Sequence, residues 1–269
     1  MFEEWKKSYP VEADAEHRFC TDGLVIKNKD VNSGYDVNEA WERAQRRIMF
    51  LLKDCPDEWG YDTRTLLTGY ENDEDSLKNA EDTRNLKQRF FKNLARILYG
   101  LYFMTNDNKG QELNKEIQNK DKLVAAFNEI PFAYVECKKM AGGKTCSPKV
   151  LAQSMIRDKE FFEEELSILK PNIIVCCDQQ GTIFNQVVDS FDVSTLSEED
   201  KWEGVYILDD GTNCNFQYKI YYFKEKGVLV FNAYHPTARI ADWKIREAVL
   251  SPFRKFFDKY ETFKVVPKY

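Results

Sequence analysis

The chain has 269 residues, with 39 lysines and arginines against 45 aspartates and glutamates, for a net charge of −6. At 43% hydrophobic and 14% aromatic it holds enough apolar side chains for one large core, which excludes wholesale disorder. The acidic balance argues against polyanion binding by the surface as a whole, while leaving room for a local basic face.

Wholly apolar runs reach only about five residues, as at 48–52, against the roughly 20 that a membrane span needs. Residues 1–10 are charged and lack the apolar stretch of a secretory signal, so a cytoplasmic protein with no membrane partner is expected. Seven cysteines form no regular framework and are expected to be reduced thiols. Two histidines, His17 and His235, and the absence of any CxxC pair leave no set of metal ligands, so no metal and no cofactor are expected.

In chain order, residues 38–47 read as a helix leading into a first strand at 48–52 (IMFLL). Residues 71–82 hold six acids and one lysine and read as an exposed loop. Leu86, Phe90, Leu94, Ile97, Leu98 and Leu101 recur every three or four positions, as on an amphipathic helix. A second strand follows at 132–135 (FAYV), a helix over 149–170, a third strand at 173–177 (IIVCC) and a helix over 178–188. Residues 205–208 and 219–223 suggest a hairpin around 209–211, ahead of a fourth strand at 228–231 (VLVF) and a closing helix over 240–260. Continuous rather than alternating apolarity marks strands covered on both faces. The expectation is an α/β protein: a three-layer α/β/α sandwich with a central, mainly parallel sheet of about four strands. It is read as a single domain over 1–269, with insertions at about 65–130 and 192–226.

Open α/β sheets bind ligands beyond the carboxyl ends of their strands. After the first strand come Lys53, Asp54, Cys55, Pro56 and Asp57. After the second come Glu136 to Lys139, then a Gly142-Gly143 turn with Lys144; the third is followed by Asp178-Gln179-Gln180. The fourth is followed by Asn232 to Arg239, with His235-Pro236 in the middle.

This order, together with the stretch FFEEELSILKPNIIV over 161–175, resembles the uracil-DNA glycosylase superfamily, in particular its bacterial and archaeal iron–sulfur branch. The resemblance covers roughly 45–64 and 130–250. It implies the sandwich fold and hydrolysis of an N-glycosidic bond in DNA. Asp54 stands where the branch has its glutamate, Lys53 where it has a glycine, and Thr237 where a serine usually follows His-Pro. The asparagine that reads uracil falls at Ala133. Of the cluster cysteines only Cys137 has a counterpart, and Asp158 stands where another would be, so no iron–sulfur cluster is expected.

Glycosidic cleavage builds positive charge on the sugar and negative charge on the departing base. A carboxylate can stabilise the first and orient water, and a neutral histidine can donate to the second. Asp54 and His235 are the expected catalytic pair, with Asp57 as the second carboxylate. Trp59, Tyr61 and Tyr234 are candidate stacking platforms for an extruded base, beside Ala133. Arg64, Lys138, Lys139, Lys144 and Arg239 are candidate phosphate contacts, as is the basic stretch 84–96. Arg239 and Ile240 fall where the family inserts its wedge. Ala133 for the asparagine, and Asp57 where some members carry a tyrosine over the pyrimidine 5-position, suggest a wider, more polar pocket. Such a pocket suits a hydroxymethylated or glucosylated cytosine, bases that occur in phage DNA. A monomer acting on DNA is expected, in duplex form with a flipped base or as a single strand. The alternatives are a glycosylase-like protein that only binds nucleic acid or another partner, and a hydrolase of small nucleotides.

Overall fold

A computed structural model describes residues 1–9, 19–27, 36–56, 62–69, 73–142, 146–207 and 213–260. The four apolar runs form the parallel middle of one seven-stranded sheet, in the order β1-β3-β2-β4-β7-β6-β5. β2 (Ile48–Pro56) lies between β3 (Phe132–Gly142) and β4 (Ile173–Cys176), and β4 pairs with β7 (Val228–Asn232), all in parallel. Three antiparallel strands extend this core, which is why seven strands replace the expected four. β1 (Gly23–Leu24) lies against β3. β6 (Asn213–Phe223) pairs with β7, and β5 (Lys201–Ile207) closes that edge. The segment 219–223 therefore lies inside the sheet, and its hairpin partner forms the edge.

The sheet separates two apolar layers. On one face pack α4 (Arg89–Phe103), α5 (Gln111–Gln118), α6 (Lys120–Glu129) and α10 (Asp242–Lys259), against Phe50, Tyr134, Val175 and Phe231. On the other pack α1 (Phe2–Lys7), α2 (Val37–Arg43), α7 (Pro148–Arg157), α8 (Lys159–Leu169) and α9 (Thr182–Ser190), against Met49, Val135, Ile174 and Val230. The strand residues alternate between the layers with the two-residue period of a pleated strand. Cys176 and Cys177 fall into opposite layers for this reason.

Several helix boundaries differ from the sequence reading. The acidic stretch expected as a loop forms most of α3 (Glu74–Arg84). Asp73 caps it by accepting from the Ser76 N–H at 2.9 Å, and Glu74 and Asp75 sit favourably in the first turn. Its buried stripe is Ser76, Ala80 and Thr83, too small and polar to register as apolar periodicity. Leu86 has φ 52° and stays outside α4. The single helix expected over 149–170 breaks at Asp158 into α7 and α8. Asp178 precedes α9 instead of starting it and accepts from the Thr182 N–H at 3.0 Å.

Candidate active site

Asp54 leaves β2 at its carboxyl end, on the face shared with Phe50 and Leu52. Directly opposite it on β3 is Lys138, with Nζ 3.4 Å from Oδ2. Lys138 also donates to the Met140 carbonyl. Gly142 is what lets β3 close over this pair, since a Cβ there would stand 2.9 Å from both Asp54 Oδ2 and Lys138 Nζ. Burial raises the Asp54 pKa above the ordinary carboxylate value, against the pull of Lys138 and then Lys53.

Lys53, one residue earlier, turns elsewhere. Its Nζ lies 3.4 Å from Oδ1 of buried Asp178. Lysine at this position therefore leaves Asp54 to Lys138. Lys53 still acts electrostatically on Asp54 and on His235, which puts both within its field.

His235 follows β7 by three residues. The Thr237 N–H donates to its Nδ1 at 3.2 Å, and the Thr237 hydroxyl lies 2.8 Å from the same nitrogen. Because Nδ1 accepts, the proton of the neutral ring sits on Nε2. Burial first, then Lys53, brings the His235 pKa down to about 4, against Asp178. The imidazole is thus a neutral N–H donor at physiological pH. Phe90 of α4 packs on it with ring centroids 5.6 Å apart, and on Tyr134 at 6.2 Å.

The loop carrying His235 is held from α4. Arg89 reaches the carbonyls of Thr237 at 3.3 Å, Ala238 at 3.0 Å and Ile240 at 2.6 Å, and pairs with Asp242 at 2.8 Å. Asn93 donates to the Pro236 carbonyl at 2.9 Å, and Arg96 pairs with Asp242 at 3.1 Å. Arg89 of the basic stretch 84–96 is therefore a clamp on this loop, its donors taken by backbone carbonyls and Asp242, and Arg96 of the same stretch is turned to Asn93 and Asp242. Arg239 is exposed on the loop and has no carboxylate partner among the described residues, whereas Ile240 packs partly into the core.

No family model matches the chain, and no curated protein matches it.

Other expectations change with the geometry. Ala133 is fully buried in the layer opposite Asp54, beside Met49 and Val135, so it does not share a face with Asp54. Tyr234 is buried in the core and offers no free stacking face. Lys139 is fully buried and bound to carboxylates, with Nζ 2.6 Å from Asp22 Oδ1 and 3.0 Å from Glu165 Oε2, which removes it from any phosphate surface. Burial opposes its charge, but Asp22 and Glu165 outweigh that and raise its pKa. Lys138 is mostly covered and committed to Asp54, so it positions the carboxylate and does not reach outward. Arg64 forms a two-pronged pair with Asp62, at 2.8 and 2.6 Å, and lines a groove with Leu24, Trp41 and Glu165 that does not include Asp54. Asp57, Trp59, Tyr61 and Lys144 lie outside the described residues.

Two residues at this edge were not singled out by the sequence reading: Tyr134, which lies on the site face where Ala133 does not, and buried Glu136 two residues on. The pleat, once the register of β3 is known, is the signal that would have found both.

Proposed function

We propose that the protein is a DNA glycosylase that hydrolyses the N-glycosidic bond of a base extruded into the edge between β2, β3 and β7. The observation that carries this reading is the pair formed by a carboxylate, Asp54, and a neutral histidine, His235. They stand at the carboxyl ends of parallel strands and share the field of Lys53. Asp54 carries the negative charge that an oxocarbenium-like sugar needs and can orient the attacking water, while Lys138 fixes its direction. His235 presents Nε2–H to the oxygen of the departing base, and its low pKa keeps it a donor without excess charge. Among the groups expected to bind phosphate, Arg239 is exposed beside this edge and can meet a duplex.

The substrate reading is a 5-substituted pyrimidine, hydroxymethylated or glucosylated cytosine, with a role in defence against phages whose DNA carries such bases. It rests on the resemblance, through Asp57 in place of the tyrosine that covers the 5-position. A second reading, a glycosylase-like protein that binds nucleic acid without cleaving it, is favoured by the Asp54–Lys138 pair, which draws charge away from the carboxylate.

Single-turnover assays decide between them. Duplexes containing uracil, 5-hydroxymethylcytosine or glucosylated cytosine are incubated with the protein and then treated with alkali to break abasic sites. Strand scission that depends on both Asp54 and His235 is the expected result. DNA binding without scission on any substrate would leave the second reading.

A further inference from the structure

The Glu136 carboxyl has no role in the site as described so far. It is 1% exposed, receives the Tyr134 hydroxyl on Oε1 at 3.0 Å, and has no hydrogen-bond partner on Oε2 among the described residues. Buried oxygens without a partner are rare in native proteins and call for an explanation. Glu136 lies opposite Leu52 on β2, two residues before the Lys138–Asp54 step and on the same face. Its partner Tyr134 touches Phe90, which touches His235. The Glu136 carboxyl therefore lies on the Asp54 face of the sheet, within reach of the Asp54 charge.

We propose that Glu136, acting as a neutral carboxylic acid, reads the hydrogen-bonding edge of the extruded base, and that this edge carries an acceptor next to a donor, as N3 and the 4-amino group of a cytosine do. The proposal rests on the glycosylase reading and adds the residue that chooses the base.

The surroundings favour the neutral form. Asp22 and Cys20 face Glu136 from the segment before β1, Asp54 from β2, and Cys177 from the end of β4; Tyr134 and Lys139 share its strand. Burial first, then Asp22, pushes its pKa up to about 8. Lys139 is already engaged by Asp22 and Glu165 and gives little relief. With Tyr134 donating to Oε1, the acid proton belongs on Oε2. That leaves one O–H donor without a partner and one spare lone pair on Oε1. A cytosine edge fills both, with N3 accepting from Oε2 and the amino group donating to Oε1. Uracil offers the same order through O4 and N3–H, and adenine through N1 and its amino group, but the cytosine ring nitrogen is a stronger acceptor than the uracil oxygen. Guanine offers the same order through O6 and N1–H, like uracil with a weaker oxygen acceptor, while its N1–H and N2 donors together match only the ionised acid. Once ionised, Glu136 turns two acceptors toward N3 and the match is lost.

The test compares the wild type, Glu136→Gln and Glu136→Ala. Each is titrated with a duplex carrying a 2′-fluoroarabino 5-hydroxymethylcytidine, which resists hydrolysis, and with the same duplex carrying an abasic analogue, between pH 6 and pH 9.5. The readout is the affinity gained from the base. In the wild type it is expected to amount to about 10–100-fold at pH 6.5 and to fall about tenfold per unit above pH 8. Glu136→Gln keeps one donor and one acceptor and is expected to hold the gain at every pH. Glu136→Ala is expected to lack it throughout. Replacing the base with 3-deazacytosine, which has no N3 acceptor, should cost the wild type its gain and leave Glu136→Ala unchanged. Uracil and adenine duplexes show which source of the edge is preferred. Thermal denaturation reports whether each variant is folded, and the Gln variant carries the test if the Ala variant is not. An equal, pH-independent gain in all three proteins would overturn the Glu136 assignment and leave the glycosylase reading standing. No gain from any base in the wild type would remove the glycosylase reading, and the assignment with it.

Discussion

Lys138 and Lys139 are neighbours in the chain and opposites in the fold. Lys139 points into the α1/α8 layer, is fully buried, and has short contacts to two carboxylates, with the Trp5 ring 4.6 Å from its ammonium. Lys138 points to the other face, keeps some exposure, and has a single carboxylate at 3.4 Å. A charge bound this tightly on all sides has no capacity left for a ligand and serves the fold. Lys138 is held more loosely, by one long carboxylate contact and the Met140 carbonyl, at the strand ends where the candidate site lies. The strength of carboxylate pairing, two short contacts against one long one, is thus what distinguishes these two lysines.

The sharpest way to break this comparison is to remove each ammonium. Lys139→Met leaves Asp22 and Glu165 buried without their cation, and should cost about 3–5 kcal/mol in urea denaturation at pH 7. Lys138→Met should cost less, about 1–3 kcal/mol, because it strands one carboxylate held by a long contact where Lys139→Met strands two held by short ones. Equal losses would end the distinction.

The Asp54–His235 pair comes next. Asp54→Asn and His235→Ala should each slow single-turnover excision by about 10²–10³ while leaving DNA affinity within a few-fold. Both should denature close to the wild type, as members of a site should.

Arg89→Ala tests the clamp between the two extremes, being structural in its bonds and functional in what it holds. We expect a loss of about 1–3 kcal/mol in stability from the freed carbonyls and Asp242. Excision should fall more than tenfold as the His235 loop loosens. Arg239→Ala should leave stability unchanged and lower the salt dependence of DNA binding by about one unit of slope. Lys139→Arg, by contrast, should not change that slope.

The most gradual effect is in pH dependence. The folded-state pKa of His235 is lowered from 6.5 to about 4. Below pH 6.5 the unfolded chain takes up that proton first, so stability falls between pH 6.5 and pH 4, by at most about 1.4 kcal/mol per unit. His235→Asn should lack this slope. Excision should show no break at pH 6.5, since the ring stays neutral there, and its acid limb should follow Asp54.

The parallel core was readable because strands buried on both faces must be apolar throughout, and the runs at 48–52 and 228–231 carry no other signal. The continuation of β2 through Lys53 and Asp54, and of β3 through Glu136 and Lys139, was not. There the backbone ladder persists while the side chains turn charged, and only register tells which face each one joins. Asp54 and His235 could be read as candidates because strand ends mark ligand edges whatever the register. Ala133 and Lys139 were misplaced by the same missing parity. The α3 helix escaped because its contact stripe is made of serine, alanine and threonine.

Arg89 and Asn93 tie down the backbone of 236–240 before any ligand arrives. A loop so fastened enters an encounter with its shape already set and has little ordering left to undergo. For a duplex docked on this edge, the distortion then falls on the nucleic acid, at a few kcal/mol for each base step unstacked. Such a surface discriminates by the stiffness of what it meets. A step already weakened by a mismatch, a nick or a bulky base opens onto the loop more easily than a uniform helix does, so the mechanical state of the DNA becomes part of the recognition signal.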